Sequence, residues 1–410
     1  MPEFLNLLPP AQALERLFSH LPVSIWVEEI DSAAALGRVT AQPVVAAQPL
    51  PGFRRATVDG YALQAAATFG ANESLPAYLE LVGEVAMGSA PTIQTSVCQC
   101  ALIHTGGMLP AGADAVVMLE HTQAARPGEI EVLRAVALGE NVLQVGEDVQ
   151  VGQEVIPAGT RLRPAEIGGL MALGITRINV ARKPQVGILS SGDEVVTPDQ
   201  ALQPGQVHDV NAFTLGGLVE QAGGEPRRYG IIPDRADLLL QAARGSLAEC
   251  ELLAITAGSS ASTRDLTSQV INDLGSPGVL VHGVNVRPGK PTILGVCGGK
   301  AVIGLPGNPV SALVIAQLFV VPVVEALLGN QHPRPRARVA ARLALNLNSQ
   351  AGREDWVAVR LLPDEGGYRA EPVFGQSNLI FTLARADGLL RIPPDATGLS
   401  AGTQVDVELM

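Results

Sequence analysis

Val186-Gly187-Ile188-Leu189-Ser190-Ser191-Gly192-Asp193-Glu194 is a buried-type strand that runs straight into a turn of small residues ending on two carboxylates. The same rhythm repeats downstream: helical spacing over 211–222, a strand over 228–232, a helix over 235–243, a strand over 252–256, a helix over 266–274, and strands over 279–284 and 302–304 before a long apolar helix from Pro309. Strands alternating with helices predict a mainly parallel sheet covered on both faces, with ligands at the carboxyl ends of its strands.

Upstream the pattern differs. An amphipathic helix is expected over 10–21, with Leu14, Leu17 and Leu21 on one side. From Pro43 to about Gly146 come short β-branched runs broken by Gly and Pro, the pattern of a small inserted all-β unit. Helix character is expected again over 155–174. Downstream, short strands over 339–345, 355–361 and 405–409 suit a small C-terminal β-barrel. A chain of 410 residues accommodates roughly two to four such units.

Composition narrows the function. The net charge of -12 argues against general binding to nucleic acid or to an anionic membrane, and 3% aromatic content leaves few rings for stacking on bases. No apolar run reaches the roughly 18 residues of a transmembrane helix free of Gly, Pro and charge. Four scattered cysteines make no disulfide framework, and the N-terminus has no signal-peptide pattern, so a cytoplasmic location is expected. Cys98 and Cys100 have the spacing of half a metal site and equally of alternate strand positions, and no second pair exists. Of 28 basic residues only Lys183, Lys290 and Lys300 are lysines.

Chemistry concentrates in the turns after the α/β strands. Ser191, Gly192 and Asp193 offer a small-residue nest for an anion, and Gly258, Ser259 and Ser260 follow the third strand. Pro306-Gly307-Asn308-Pro309 opens the long helix, with Asn308 placed as its cap, Pro309 at its first position and Ser311 in its first turn. Just before, Arg287-Pro288-Gly289-Lys290-Pro291 puts two cations on a loop stiffened by prolines. Asp193, Glu194, Asp209, Asp234 and Asp265 fall at strand-to-helix junctions of the same domain. Acids collected beside an anion site repel it unless a hard cation lies between them, so magnesium beside phosphate is the economical reading. Taken singly, each acid is equally a helix cap or an exposed turn residue.

Further motifs complete an ordered set: Pro51-Gly52-Phe53, Val58-Asp59-Gly60-Tyr61-Ala62, Thr105-Gly106, Gly146-Glu147-Asp148, Ser191-Gly192-Asp193-Glu194, Arg287-Pro288-Gly289-Lys290-Pro291 and Leu305-Pro306-Gly307-Asn308-Pro309-Val310-Ser311. In this order they resemble the molybdopterin molybdenumtransferase family, which includes bacterial MoeA and the gephyrin E domain, over essentially the whole chain. The resemblance implies a multidomain α/β fold. A mixed N-terminal domain spans 1–43 with 147–181, an inserted β domain 44–146, an α/β molybdopterin-binding domain 182–329 and a β-barrel 330–410. It also implies a homodimer with sites shared between subunits, contacts with other molybdenum cofactor biosynthesis proteins, and insertion of molybdenum from molybdate into adenylylated molybdopterin with Mg2+-dependent loss of AMP.

The resemblance assigns roles by motif. Arg287, Lys290, Pro291 and Ser311 resemble the molybdate and pterin-phosphate loop, and Arg353 and Ser377 resemble barrel residues that help hold molybdate. Glu194, Asp234 and Asp265 resemble the acids tied to activity and divalent metal, whereas Asp59, Thr105 and Asp148 resemble residues delivered from the other subunit. The chain departs from the family at Ala257-Gly258-Ser259, where Ser-Gly-Gly is usual, and at Leu143, Gln144 and Val145, where an arginine is common. A non-catalytic molybdopterin-binding scaffold and a tungsten-preferring insertase are the alternative readings.

Overall fold

The computed structural model describes residues 7–257 and 261–410, with the backbone alone for 261–265. Its central sheet has six strands in the order Glu225–Ile232, Gln185–Ser191, Leu252–Ala257, Lys300–Pro306, Ile293–Cys297 and Pro277–His282. The first four run parallel, Ile293–Cys297 runs opposite to them, and the edge strand Pro277–His282, antiparallel to Ile293–Cys297, runs the same way as the first four. The one reversed strand corrects the expected strand set, which lacked Ile293–Cys297. That strand turns into Lys300–Pro306 through Gly298-Gly299, both at positive φ, the requirement of a tight hairpin turn.

Alternate residues of the parallel strands reach opposite faces. Val186, Ile188, Leu252 and Ala254 pack with Leu215, Val219 and Phe319 on one side. Leu189, Leu253 and Ile255 meet Leu239, Ala243 and Ile271 on the other. Because Gln185–Ser191 lies between its two successors, the strand order reverses beside it, and a crevice opens at the carboxyl ends of Gln185–Ser191 and Leu252–Ala257.

The long helix runs through Pro309–Ile315, a widened π turn at Ala316–Val320 and Val321–Leu327. Pro322 has no N–H to give to the carbonyl four residues back, and the wide turn lies directly before it. At 19 residues and a mean hydropathy of 2.2 the helix is long and apolar enough to cross a bilayer, but 67% of it is buried within the fold, as in a core helix.

The segments before and after the β unit pair with each other, Val27–Asp31 with Arg177–Ala181 and Val44–Val45 with Glu154–Ile156. The helix expected over 155–174 is confined to Pro164–Ala172: a strand and Pro157 occupy the earlier part, and Pro164 opens the helix at its first position. Between these segments a six-stranded sheet curls around cores on both of its faces. In the C-terminal region Glu354–Asp364, Gly367–Pro372, Arg338–Leu343, Gln404–Leu409 and Gly388–Ile392 pair in sequence, and the last returns to the first to close a five-stranded barrel.

Phe319, fully buried between the sheet and the barrel-side helices, is the largest side chain of the main core. Phe319→Ala is expected to cost about 3–5 kcal/mol, read as a lowered midpoint in denaturant unfolding.

Candidate functional site

A cavity of about 500 Å³ occupies the crevice at the strand ends, walled by Ser190, Ser191, Glu194, Asp209, Asn211, Thr256, Ala257, Gly307 and Asn308 among others. Its polar groups are cross-linked. Ser191 Oγ donates to Asp234 Oδ1 at 2.5 Å, the Asp234 amide donates to Asp193 Oδ1 at 3.2 Å, and Thr256 Oγ1 donates to Ser190 Oγ at 3.3 Å. Gly192 sits at φ +151, and a Cβ there would lie 2.8 Å from Val195 and 2.9 Å from a Glu194 carboxylate oxygen. Only glycine lets this turn bring Glu194 to the cavity wall. Asn211 Nδ2 donates to the Gly307 carbonyl at 2.8 Å, tying the start of one helix to the turn that opens the long helix.

The turn residues Gly258, Ser259 and Ser260 and the side chain of Asp265 lie outside the described residues. Among the described residues no three acids, histidines or cysteines gather into a metal-holding group. Ser191, Asp234 and Glu194 nevertheless supply hard oxygen donors, and magnesium bound with phosphate needs only one or two carboxylates from a protein.

The cationic loop lies at the junction with the barrel. Val286 and Arg287 pair in parallel with Glu354 and Asp355, and the Glu354 amide donates to the Asn285 carbonyl at 3.2 Å. Arg353 makes a two-pronged contact with Asp355, Nε to Oδ1 at 2.7 Å and Nη2 to Oδ2 at 3.0 Å, while Arg287 Nη1 stands 3.9 Å from Oδ2. Asp355 is buried, so one carboxylate gathers two guanidinium groups from different domains. Lys290, three residues after Arg287 on the same loop, is exposed. Gly289, at φ +114, packs so closely on the long helix that a Cβ would stand 2.3 Å from Ile315, and Thr292 Oγ1 donates to its carbonyl at 2.6 Å. Pro288 and Pro291 flank this clamp. Ser377 accepts from Asn308 Nδ2 at 2.9 Å, and its carbonyl accepts from the Val310 amide at 3.0 Å. Asn308 thus joins the barrel rather than capping its own helix by a side-chain bond. Pro306, Gly307 and Pro309 shape that turn, and Ser311 is buried one turn into the helix.

Asp59, Thr105 and Asp148 lie in and beside the β unit. Thr105 donates to Asp59 Oδ1 through its amide at 2.7 Å and its hydroxyl at 3.0 Å, with His104 Nδ1 3.9 Å from the same oxygen. The Thr105 amide bond, followed by the Thr105 hydroxyl, holds the Asp59 carboxyl below its ordinary value of 3.8. Asp148 is exposed, and its amide donates to the Leu50 carbonyl at 3.0 Å.

The structure therefore links Ser191, Asp234 and Asp193 by hydrogen bonds, places Glu194 with Ser191 on the cavity wall, sets Arg287 and Arg353 on Asp355, and holds Ser377 on Asn308. The role of Asp355 as the shared acceptor was not read from the sequence, although Arg353, two residues before it, was singled out. Asn211 and Asn378 were also missed as wall residues; a helix-initial Asn carries the same signal whether it caps or lines a cavity. Cys100 is a buried strand residue whose thiol burial pushes up to about 12, and Cys98 precedes the strand at φ 64, so the pair does not form half of a metal site.

Three family models match in order: the MoeA N-terminal region (domains I and II) at residues 8–174, the probable molybdopterin binding domain at 187–326, and the MoeA C-terminal region (domain IV) at 340–410. A putative molybdopterin biosynthesis protein of Methanocaldococcus jannaschii is 34% identical over 99% of this chain and 98% of its own. The molybdopterin molybdenumtransferase of a Nostoc species is 33% identical over 92% of this chain and 87% of its own. Among solved structures, the molybdopterin biosynthesis MoeA protein of Pyrococcus horikoshii superposes with a TM-score of 0.87 at 31% identity, covering 99% of this chain and 100% of the other. The chain belongs to the MoeA family of molybdopterin molybdenumtransferases, enzymes of molybdenum cofactor biosynthesis.

Because the folded Asp59 has the lower pKa, its bonds to Thr105 stabilise the folded state above the unfolded carboxyl value and lose that contribution as pH falls through the folded value. A carbon NMR titration of the Asp59 carboxyl is expected to show a midpoint below 3.8. Thr105→Ala should move that midpoint back upward.

Proposed function

We propose that the chain inserts molybdenum from molybdate into adenylylated molybdopterin, with magnesium-dependent release of AMP, as a cytoplasmic homodimer. The observation that carries this reading is that the carboxyl-end side of one sheet carries two opposite kinds of feature: an acid- and hydroxyl-lined crevice, and the cationic Arg287–Lys290 loop joined to Arg353 of the barrel. One substrate that carries phosphates and a heterocycle, and a second that is an oxyanion, account for both.

In this reading Lys290, Arg287 and Arg353 hold the oxyanions and offset the repulsion between molybdate and the phosphates, with Pro288, Gly289 and Pro291 keeping the loop stiff. Ser191, Asp234 and Glu194, completed by Asp265, hold magnesium, which when bound offsets the charge of the anhydride phosphates. Asp193 orients Asp234 through its amide. A water oxygen forms a bond to phosphorus, the anhydride bond breaks, and AMP leaves while the other phosphate stays on the pterin. The two dithiolene thiols give their protons to one molybdate oxo group, which departs as water as two Mo–S bonds form. Gly258, Ser259 and Ser260 complete the nucleotide side, and Ser311, Asn308 and Ser377 fix the turn at the anion side. Asp59, Thr105 and Asp148 act from the second subunit. The division into 1–43 with 147–181, 44–146, 182–329 and 330–410 belongs to the same proposal.

Purified protein given adenylylated molybdopterin, molybdate and magnesium is expected to release AMP, and Lys290→Ala and Asp234→Ala each to lower the rate about 100-fold or more. Tight binding without AMP release would instead favour the scaffold reading, and faster turnover with tungstate the tungsten one. Mixing Asp59→Asn with Lys290→Ala chains should recover AMP release, since a mixed dimer keeps one site with both residues; no recovery removes the shared-site arrangement.

A further inference from the structure

The crevice and the cationic loop both follow the carboxyl ends of strands that run the same way in the central sheet, and they differ in hydrogen-bonding character. No lysine or arginine lines the cavity among the described residues. At the corner formed by Asp209 and Asn211 the wall presents acceptors. Asp209 is 7% exposed, and its Oδ1 accepts from the Ala212 amide at 3.0 Å. Two residues on, Asn211 is 8% exposed and spends its amide nitrogen on the Gly307 carbonyl, which fixes which end of the amide is which, because a carbonyl accepts only from the NH2 side. Its Oδ1 is then left buried with no partner, an arrangement that costs free energy unless a donor arrives. Glu194 adds a further carboxylate to the same wall. Phosphate and molybdate oxygens only accept, so a bare oxyanion gains no hydrogen bond from Asp209 or from the Asn211 carbonyl, which stand apart from the residues proposed to hold magnesium.

We propose that Asp209, with Asn211 beside it, reads the exocyclic amino group of a nitrogen heterocycle, placing the ring of the substrate in the cavity while its oxyanions lie toward Arg287 and Lys290. This deepens the proposed molybdopterin reading and rests on it. Both rings of adenylylated molybdopterin carry such an amine, the pterin and the adenine, and the chemistry of recognition is the same for each.

The ligand pairs that test it differ only in replacing the amine by a carbonyl: AMP against IMP, and pterin against lumazine, each titrated with the full-length protein and magnesium by calorimetry. Wild type is expected to bind the amino member of one pair about tenfold or more tightly, the scale of one charge-assisted hydrogen bond, and the pair that shows the preference identifies the ring. Asp209→Asn keeps a carbonyl for the Ala212 amide and turns an NH2 group toward the cavity. It is therefore expected to reverse the preference toward the oxo member, which a merely structural role would not do. Equal binding within both pairs, no binding of either pair, or an unchanged preference in Asp209→Asn overturns the proposal. The wild-type comparison decides even if the variant does not fold. AMP release by wild type without any amino preference removes only this role for Asp209 and leaves the broader function standing; absence of AMP release removes the function itself.

Discussion

The site depends on one buried carboxylate. Asp355 belongs to the barrel, where it receives both prongs of Arg353, and Arg287 from the α/β sheet region approaches it to 3.9 Å. Burying a charge is costly unless it is paired and hydrogen-bonded, and here the pairing partners are the groups proposed to meet molybdate. Removing either arginine would leave a buried acid under-compensated, and removing the acid would leave two guanidinium groups side by side with no shared anchor. The short parallel pairing of Val286–Arg287 with Glu354–Asp355 fixes the register that makes this possible. Position of the cations and attachment of the barrel are thus one structural fact.

A second constraint runs through backbone rather than charge. Gly289 rests on Ile315 at a distance no Cβ tolerates, Ile315 lies immediately before the π turn of the long helix, and the same helix begins at the turn held by Asn211 and Ser377. The cationic loop, the helix start and the barrel segment therefore lean on a single rigid element buried in the main core. Such support suits oxyanion binding, in which charges placed in advance cost no reorganisation when the ligand arrives.

Much of this was legible in the sequence because parallel strands are buried on both faces and read as continuous apolar runs that stop abruptly at polar turns. The turns at Ser191–Glu194, Arg287–Pro291 and Pro306–Ser311 could be placed at strand or helix ends for that reason. What stayed hidden were features set by long-range register. The hairpin at Gly298-Gly299 makes two strands antiparallel, although apolar runs say nothing of direction. The apolar pattern around Leu170 suggested too long a helix because Leu, Met and Ala spacing outweighed Pro157 and Pro164. Asp355 was visible as a residue, but its capture of two arginines follows from pairing between segments almost seventy positions apart, which no local pattern encodes.

Taken together, the acceptor-rich cavity and the cationic junction give the site a polarity. In the proposed reading an oxyanion is held at the junction and a heterocycle at the corner of Asp209 and Asn211, and a molecule joining the two satisfies both at once. Affinity for such a ligand exceeds that for either fragment because the second contact is made intramolecularly once the first has formed. In the proposed reading a chain with net charge -12 hosts an oxyanion through local placement, because Arg287 and Arg353 share one buried acid and the loop that carries Arg287 and Lys290 rests on one rigid helix.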